Sequence, residues 1–144
     1  MAAKINFNSI ELGYELPKLQ KHIIQEKITK FAEASLDFNP IHINPEWCKK
    51  VNLLGKGTTI GHGMMTMAFM GKVVTDWAYA NGGYLKSLEC KFIYSVRPGD
   101  DITASATVIE KHPRPNNESF LVLDLKCFNQ DGVQVGAGES RVQI

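Results

Sequence analysis

The chain has 144 residues, 44% of them apolar and 22% charged, with a formal net charge of +1, which fits one globular domain long enough to bury a sizeable core. So balanced a charge leaves no broad basic field, and a nucleic-acid backbone is excluded as an expected partner. No stretch reaches the ~20 apolar residues of a membrane span, and the first residues lack the cationic head and apolar run of a secretory signal, so a soluble cytoplasmic protein without membrane contact is expected.

In chain order, residues 14–23 read as an extended strand. Residues 25–35 follow as a short amphipathic helix, with Ile28, Phe31, Ala32 and Ser35 along one side. Next comes LDFNPIHINPEW, residues 36–47, in which two Asn-Pro pairs frame His42 and Asp37 stands five residues before it. Asn44, Pro45 and Glu46 read as an N-cap, a first-turn proline and a first-turn acid, so a helix carrying Trp47 and Cys48 is expected there. After the glycine-rich LLGKGTTIGHG, residues 63–77 are apolar around most of a helix and should be buried. Gly63, Ala68 and Gly71 are small enough to let that helix lie close to strands.

From Tyr84 onward, short segments separated by RPGD, PRPNNE and NQDG read as an antiparallel meander. Within it, Ile102, Ala104, Ala106 and Val108 alternate with Thr103, Ser105 and Thr107, the pattern of a sheet with one covered face. The whole is an α+β arrangement, a long antiparallel sheet around a central apolar helix. No repeat or low-complexity run divides residues 1–144, which count as a single domain. Cys48, Cys90 and Cys127 are odd in number and lack a C-x-x-C pair, so reduced, packed thiols are expected.

Asp37 and His42 admit two readings. One is a turn in which the asparagines start local structure and His42 is a satisfied loop residue. The other is an acid/base pair on a stiff mount: imidazole accepts and donates protons near neutrality, a carboxylate can hold a water, and two prolines restrict the loop. Gly61 and Gly63 bracket His62 where the apolar helix begins, so the free N–H groups and dipole of that terminus could stabilise a developing oxyanion; a plain loop-to-helix junction with His62 packed is the alternative.

GKGTTIG lacks the spacing of a phosphate loop, and Asp37, His42 and His62 lack a recognisable metal-ligand spacing, so no metal is expected. His22 and His112 read as solvated strand residues. Lys56, Lys72, Lys86, Lys91 and Arg97 read as solvated cations that could also meet phosphates or an acidic carrier.

DFNPIH, then HGMMTM some twenty residues on, then KFIYSVRPGDDI together resemble the MaoC-like, (R)-specific enoyl-CoA hydratase / (3R)-hydroxyacyl-thioester dehydratase family over nearly the whole chain. The family signature D-x-N-P-[LIV]-H is satisfied by Asp37, Asn39, Pro40, Ile41 and His42. The resemblance implies a hot-dog fold, usually dimerised by joining two sheets. It also implies reversible syn addition of water to a trans-2-enoyl thioester, giving a (3R)-3-hydroxyacyl thioester. Asp37 and His42 would then handle the water and the α-proton, the Gly63 N–H would hold the oxyanion, and Asn39 would brace the loop.

Met67, Phe69, Met70 and Trp77 are candidates for the floor of an acyl pocket. No cofactor is expected, the coenzyme A (CoA) or acyl carrier protein (ACP) thioester being the substrate, and the partner is a second copy or another hot-dog subunit. Departures from the family pattern are Ser35 and Leu36, where a small residue and glycine are common, Ser95 in place of a proline, and Gly71 where some members carry serine. Two alternatives are a hot-dog thioesterase, against which the His42 spacing argues, and a non-catalytic acyl-thioester-binding subunit, against which the presence of both Asp37 and His42 argues.

Overall fold

A computed structural model describes residues 5–144. The elements run β1 (Leu19–His22), α1 (Gln25–Ser35), α2 (Pro40–Ile43), α3 (Pro45–Val51), α4 (Gly63–Ala80), β2 (Tyr84–Phe92), β3 (Asp101–His112), β4 (Phe120–Phe128) and β5 (Gln134–Gln143). All strands join one antiparallel sheet in the order β1-β3-β4-β5-β2, and α4 packs across it. This is the α+β, hot-dog arrangement.

The alternation in β3 puts Ile102, Ala104, Ala106 and Val108 into the core, where Ala104, Ala106 and Val108 stand opposite Cys127, Leu125 and Leu123 of β4 and Leu121 is buried beside them. These side chains meet Met65, Met70, Val73, Val74, Trp77 and Ala78 of α4. Fully burying one such aliphatic side chain is worth roughly 1.5–3 kcal/mol, so this interface outweighs the weak intrinsic propensity of a glycine-bearing helix. Close approach needs small residues. A Cβ on Gly136 of β5 would stand 2.7 Å from Met70 Cε and 3.1 Å from Thr66 Cγ2, and one on Gly71 would meet Leu88 at 3.4 Å. Ala68, by contrast, lies on the exposed side of α4 with Met64, Lys72, Asp76 and Tyr79, so the helix has a buried face and an open one rather than burial all round.

Two expected features are corrected. β3, β4 and β5 form a meander, but β2 pairs with β5 at the edge of the sheet instead of with β3. RPGD is therefore not a hairpin turn. Its Asp100 side chain accepts from Arg97 N, Gly99 at φ +97° donates to Ile23 O, and Ile23 N donates to Asp100 O, which seats the crossing segment beside β1. The extended segment 14–23 pairs continuously only over Leu19–His22, with a single bridge between Glu15 and Thr107. Pro17 lies between them and has no N–H to offer a ladder.

All three thiols are free, Cys48 and Cys127 buried and Cys90 partly so. Burial, with a smaller contribution from the charge of Cys90, pushes the Cys127 thiol up to about 12 from an ordinary value of 9.0. Above pH 9 the unfolded chain releases this proton while the folded chain keeps it, so the unfolded state gains and stability falls as pH rises toward 12. Denaturant midpoints taken between those pH values are expected to decline more steeply for the native protein than for Cys127→Ala. Parallel slopes would reject this.

Candidate active site

Helix α1 ends because Leu36 turns left-handed at φ 59°, its N–H bonding back to Ala32 O, and Asp37 N reaches the same carbonyl at 3.1 Å. Glycine, which the family resemblance expects there, adopts that conformation most cheaply; Leu36 takes it with its side chain in solvent. The turn delivers Asp37 to the start of a second helix.

Both Asn-Pro pairs are helix N-termini. Asn39 Oδ1 accepts from Ile41 N at 3.1 Å with Pro40 opening α2, and Asn44 Oδ1 accepts from Trp47 N at 2.9 Å with Pro45 opening α3. Asn39 also donates its own N–H to Asp37 Oδ1 at 3.3 Å, so one residue both caps α2 and orients the carboxylate. The one-turn α2 carries His42.

The His42 ring is 12% exposed, and its Nδ1 lies 2.8 Å from the carbonyl of Ile60. That contact assigns the proton to Nδ1 and leaves the Nε2 lone pair facing Asp37. Asp37 Oδ2, on a side chain 53% exposed, stands 3.9 Å from His42 Nε2. This is too long for a direct hydrogen bond and suits two groups acting on one oxygen between them.

The backbone of His42 is held as firmly as its ring. Gln25 Nε2 donates to His42 O at 2.8 Å, Gln25 Oε1 accepts from Thr59 Oγ1, and Arg97 Nη1 donates to Thr58 Oγ1 at 2.7 Å. Arg97 is only 8% exposed, so the expectation of a solvated cation is corrected for it: it clamps the loop whose Ile60 carbonyl orients His42.

His62 completes the cluster. Its ring is 3% exposed and stacks on His42 with centroids 3.7 Å apart and planes inclined by 25°. Its Nε2 lies 3.1 Å from the Asp37 carbonyl and 3.9 Å from Asp37 Oδ2, and Phe31 covers it at 5.0 Å. Gln25 and Thr59 have no local pattern that singles them out; His62 is marked in the sequence by its flanking glycines, but as a packed junction residue or a metal ligand to be dismissed, not as a contact of Asp37 and His42.

One ligand atom from each of Asp37, His42 and His62 falls within 4.8 Å of the others. The geometry favours hydrogen bonding over ligation, because His62 Nε2 is engaged with the Asp37 carbonyl and stacked rings send their in-plane lone pairs alongside each other instead of to one point.

Gly63 opens the 18-residue α4, its N–H among the first-turn donors that no i−4 carbonyl can satisfy. A Cβ there would stand 2.7 Å from the Phe92 ring. Gly63 also borders a cavity of about 480 Å³ lined by Gly61, Thr66, Phe92, Val96 and Arg97, among others; Ile60 lines it too, whereas Asp37 and His42 do not.

Of the residues considered for an acyl pocket, Met70 is fully buried against Gly136, and Trp77 borders a separate cleft with Pro17, Leu19 and Val73. Met67 and Phe69 are partly buried, and none of the four lines the cavity at Gly63. His22 bonds Asp101 at the surface, and His112 lies between Glu110 and Phe120, both away from the site.

A sheet curled on one helix, with the Asp37 carboxylate and the His42 imidazole gathered around His62 at the start of that helix, defines a hot-dog protein. Residues 9–124 match the MaoC-like domain, and the chain belongs to that family. It is 30% identical over 138 residues to an (R)-specific enoyl-CoA hydratase of Rhodospirillum rubrum, covering 96% of this chain and 90% of that one. Among solved structures it resembles an R-hydratase from Pseudomonas aeruginosa in the unliganded form, with a TM-score of 0.83 and 25% identity over 97% of this chain and 85% of the other. The (R)-hydratase of Aeromonas caviae superposes with a TM-score of 0.80 at 25% identity, covering 94% and 98% of the two chains.

Proposed function

We propose that the protein catalyses the reversible hydration of trans-2-enoyl thioesters of CoA or ACP to (3R)-3-hydroxyacyl thioesters. It is a hydro-lyase of the enoyl-CoA hydratase and dehydratase group, as its family and its hydratase relatives support. The observation that carries the finer reading is the placement of Asp37 Oδ2 and the free Nε2 of His42 3.9 Å apart beside the first turn of α4.

A water held between carboxylate and imidazole loses a proton to His42 Nε2 as its oxygen bonds to Cβ. The π electrons move through Cα onto the thioester oxygen, which the Gly63 N–H and the helix terminus receive. A proton returned to Cα on the same face restores the thioester, so one water is added in all. Asn39 keeps the carboxylate turned inward, and Ile60 keeps His42 in the tautomer whose Nε2 is a base.

Loss of enoyl-thioester absorbance with crotonyl-CoA, followed by chiral analysis of the product, tests this. (3R)-3-hydroxybutyryl-CoA is expected; release of free thiol without hydration would convert the reading to a thioesterase. Among the described residues the outer edge of β2 is unpaired, and Tyr84, Phe92, Ile93 and Tyr94 are exposed at or just beyond it, which supports a homodimer joined there. The active preparation is then expected to sediment at twice the mass of one chain, and a monomer would count against that assembly.

A further inference from the structure

We propose that His62 is a positioning residue for the hydration reaction: by donating from Nε2 to the Asp37 carbonyl while covering one face of the His42 ring, it holds the carboxylate and the imidazole at their working separation. The inference rests on the reading of Asp37 and His42 as the reacting pair.

Asp37 and His42 lie on different elements. Asp37 hangs from the end of α1 with its side chain half in solvent, and the only hydrogen bond to its carboxylate among the described residues comes from Asn39 N at 3.3 Å. His42 is fixed by Ile60 and Gln25. Asn39 links them only through the backbone, donating to Asp37 Oδ1 and accepting from His42 N, and does not reach the imidazole ring. His62 touches both sides: its Nε2 is 3.1 Å from the Asp37 carbonyl, and its ring lies 3.7 Å from that of His42. It is itself immobilised by near-complete burial, by Phe31 on its ring, and by its place as the N-cap residue of α4, directly before Gly63. One rigid side chain therefore indexes the acid, the base and the oxyanion donor.

The polar pattern of His62 fits this role better than a packing role. A packed aromatic would serve the stack as well and bury no polar atom. His62 instead buries an unpartnered Nδ1, a cost accepted while Nε2 is engaged with Asp37.

The test is steady-state hydration of crotonyl-CoA by three proteins of verified fold. His62→Gln keeps an N–H near the Nε2 position and loses the ring; His62→Phe keeps the ring and loses the donor. Displacing reacting groups by about 1 Å can cost on the order of 10²-fold, so kcat is expected to fall about 10- to 100-fold in His62→Phe, with KM within about twofold of native. Recovery of part of that loss in His62→Gln, and a changed pH profile of kcat in both variants, are expected as well. Native kcat in both folded variants, or a loss confined to KM, overturns the proposal.

Should the variants fail to fold, nitrogen NMR of the histidine rings in the native protein decides. His62 in the Nε2–H tautomer supports the contact, and the Nδ1–H tautomer overturns it, because Nε2 could not then donate to Asp37. Inactivity of the native protein on thioesters would sink the hydratase reading alone, and the tautomer measurement would still decide whether His62 holds Asp37.

Discussion

Asp37→Asn is expected to lower kcat for crotonyl-CoA hydration by about 10²–10⁴-fold while leaving stability within about 0.5 kcal/mol of native. The two effects separate because the Asp37 side chain is half exposed and makes one weak bond, from Asn39 N, which an asparagine oxygen can also accept. What asparagine cannot do is carry the negative charge that polarises a shared water.

His42→Gln should cost turnover on the same scale, since an amide offers no basic nitrogen near neutral pH. It also disturbs the Ile60 bond and the His62 stack, so a drop in melting temperature is expected for this variant and not for Asp37→Asn. Turnover that survives either change in a folded protein would remove the pair from the chemistry. A loss in both, with unchanged product stereochemistry in the residual activity, would tie them to one step.

Gly63→Ala should reduce kcat by about 10²-fold, the loss associated with one misplaced oxyanion donor, with a smaller change in KM. The added methyl would lie 2.7 Å from the Phe92 ring, closer than real contacts permit, so either the ring or the start of α4 must shift. Phe92 is half exposed and can yield; the double variant Gly63→Ala/Phe92→Ala distinguishes the two responses. Recovery of kcat in the double variant shows that the methyl acted by pushing the helix terminus out of place. No recovery shows that the methyl itself blocks the approach of the thioester oxygen to the N–H. A fully active single variant would reject the expected loss and show that Phe92 yields while the N–H keeps its place with room for the thioester oxygen.

Arg97 carries a more general lesson about reading cations from a sequence. Among lysines and arginines scattered along a chain, solvation is the natural expectation, and Lys72 follows it, paired with Asp76 on an exposed helix face. Arg97 departs from it because the segment after β2 crosses the end of the sheet instead of turning back. That crossing carries the guanidinium under the loop at Thr58, where it can bond inward. The same crossing separates β2 from β3 and leaves β2 at one edge of the sheet among the described residues.

Local chemistry was legible wherever the deciding interaction spans a few residues. The bounds of α1, the start of α3 and the burial of alternate residues from Ile102 to Val108 follow from capping side chains, proline geometry and side-chain periodicity, whereas the one-turn α2 reads in the sequence only as a loop with turns. Tertiary structure alone decided which groups surround the pair. Gln25 reaches His42 across 17 residues, His42 reaches Ile60 across 18, His62 reaches Asp37 across 25 and Thr59 reaches Gln25 across 34. No periodicity encodes such contacts, because each depends on where the packing of α4 against the sheet brings the loop before it. By itself the amino-acid sequence determined a carboxylate and an imidazole on a proline-bounded turn and a helix fit to lie in a sheet; the fold decided their distance, the carbonyl that holds the His42 ring and the ring stacked upon it.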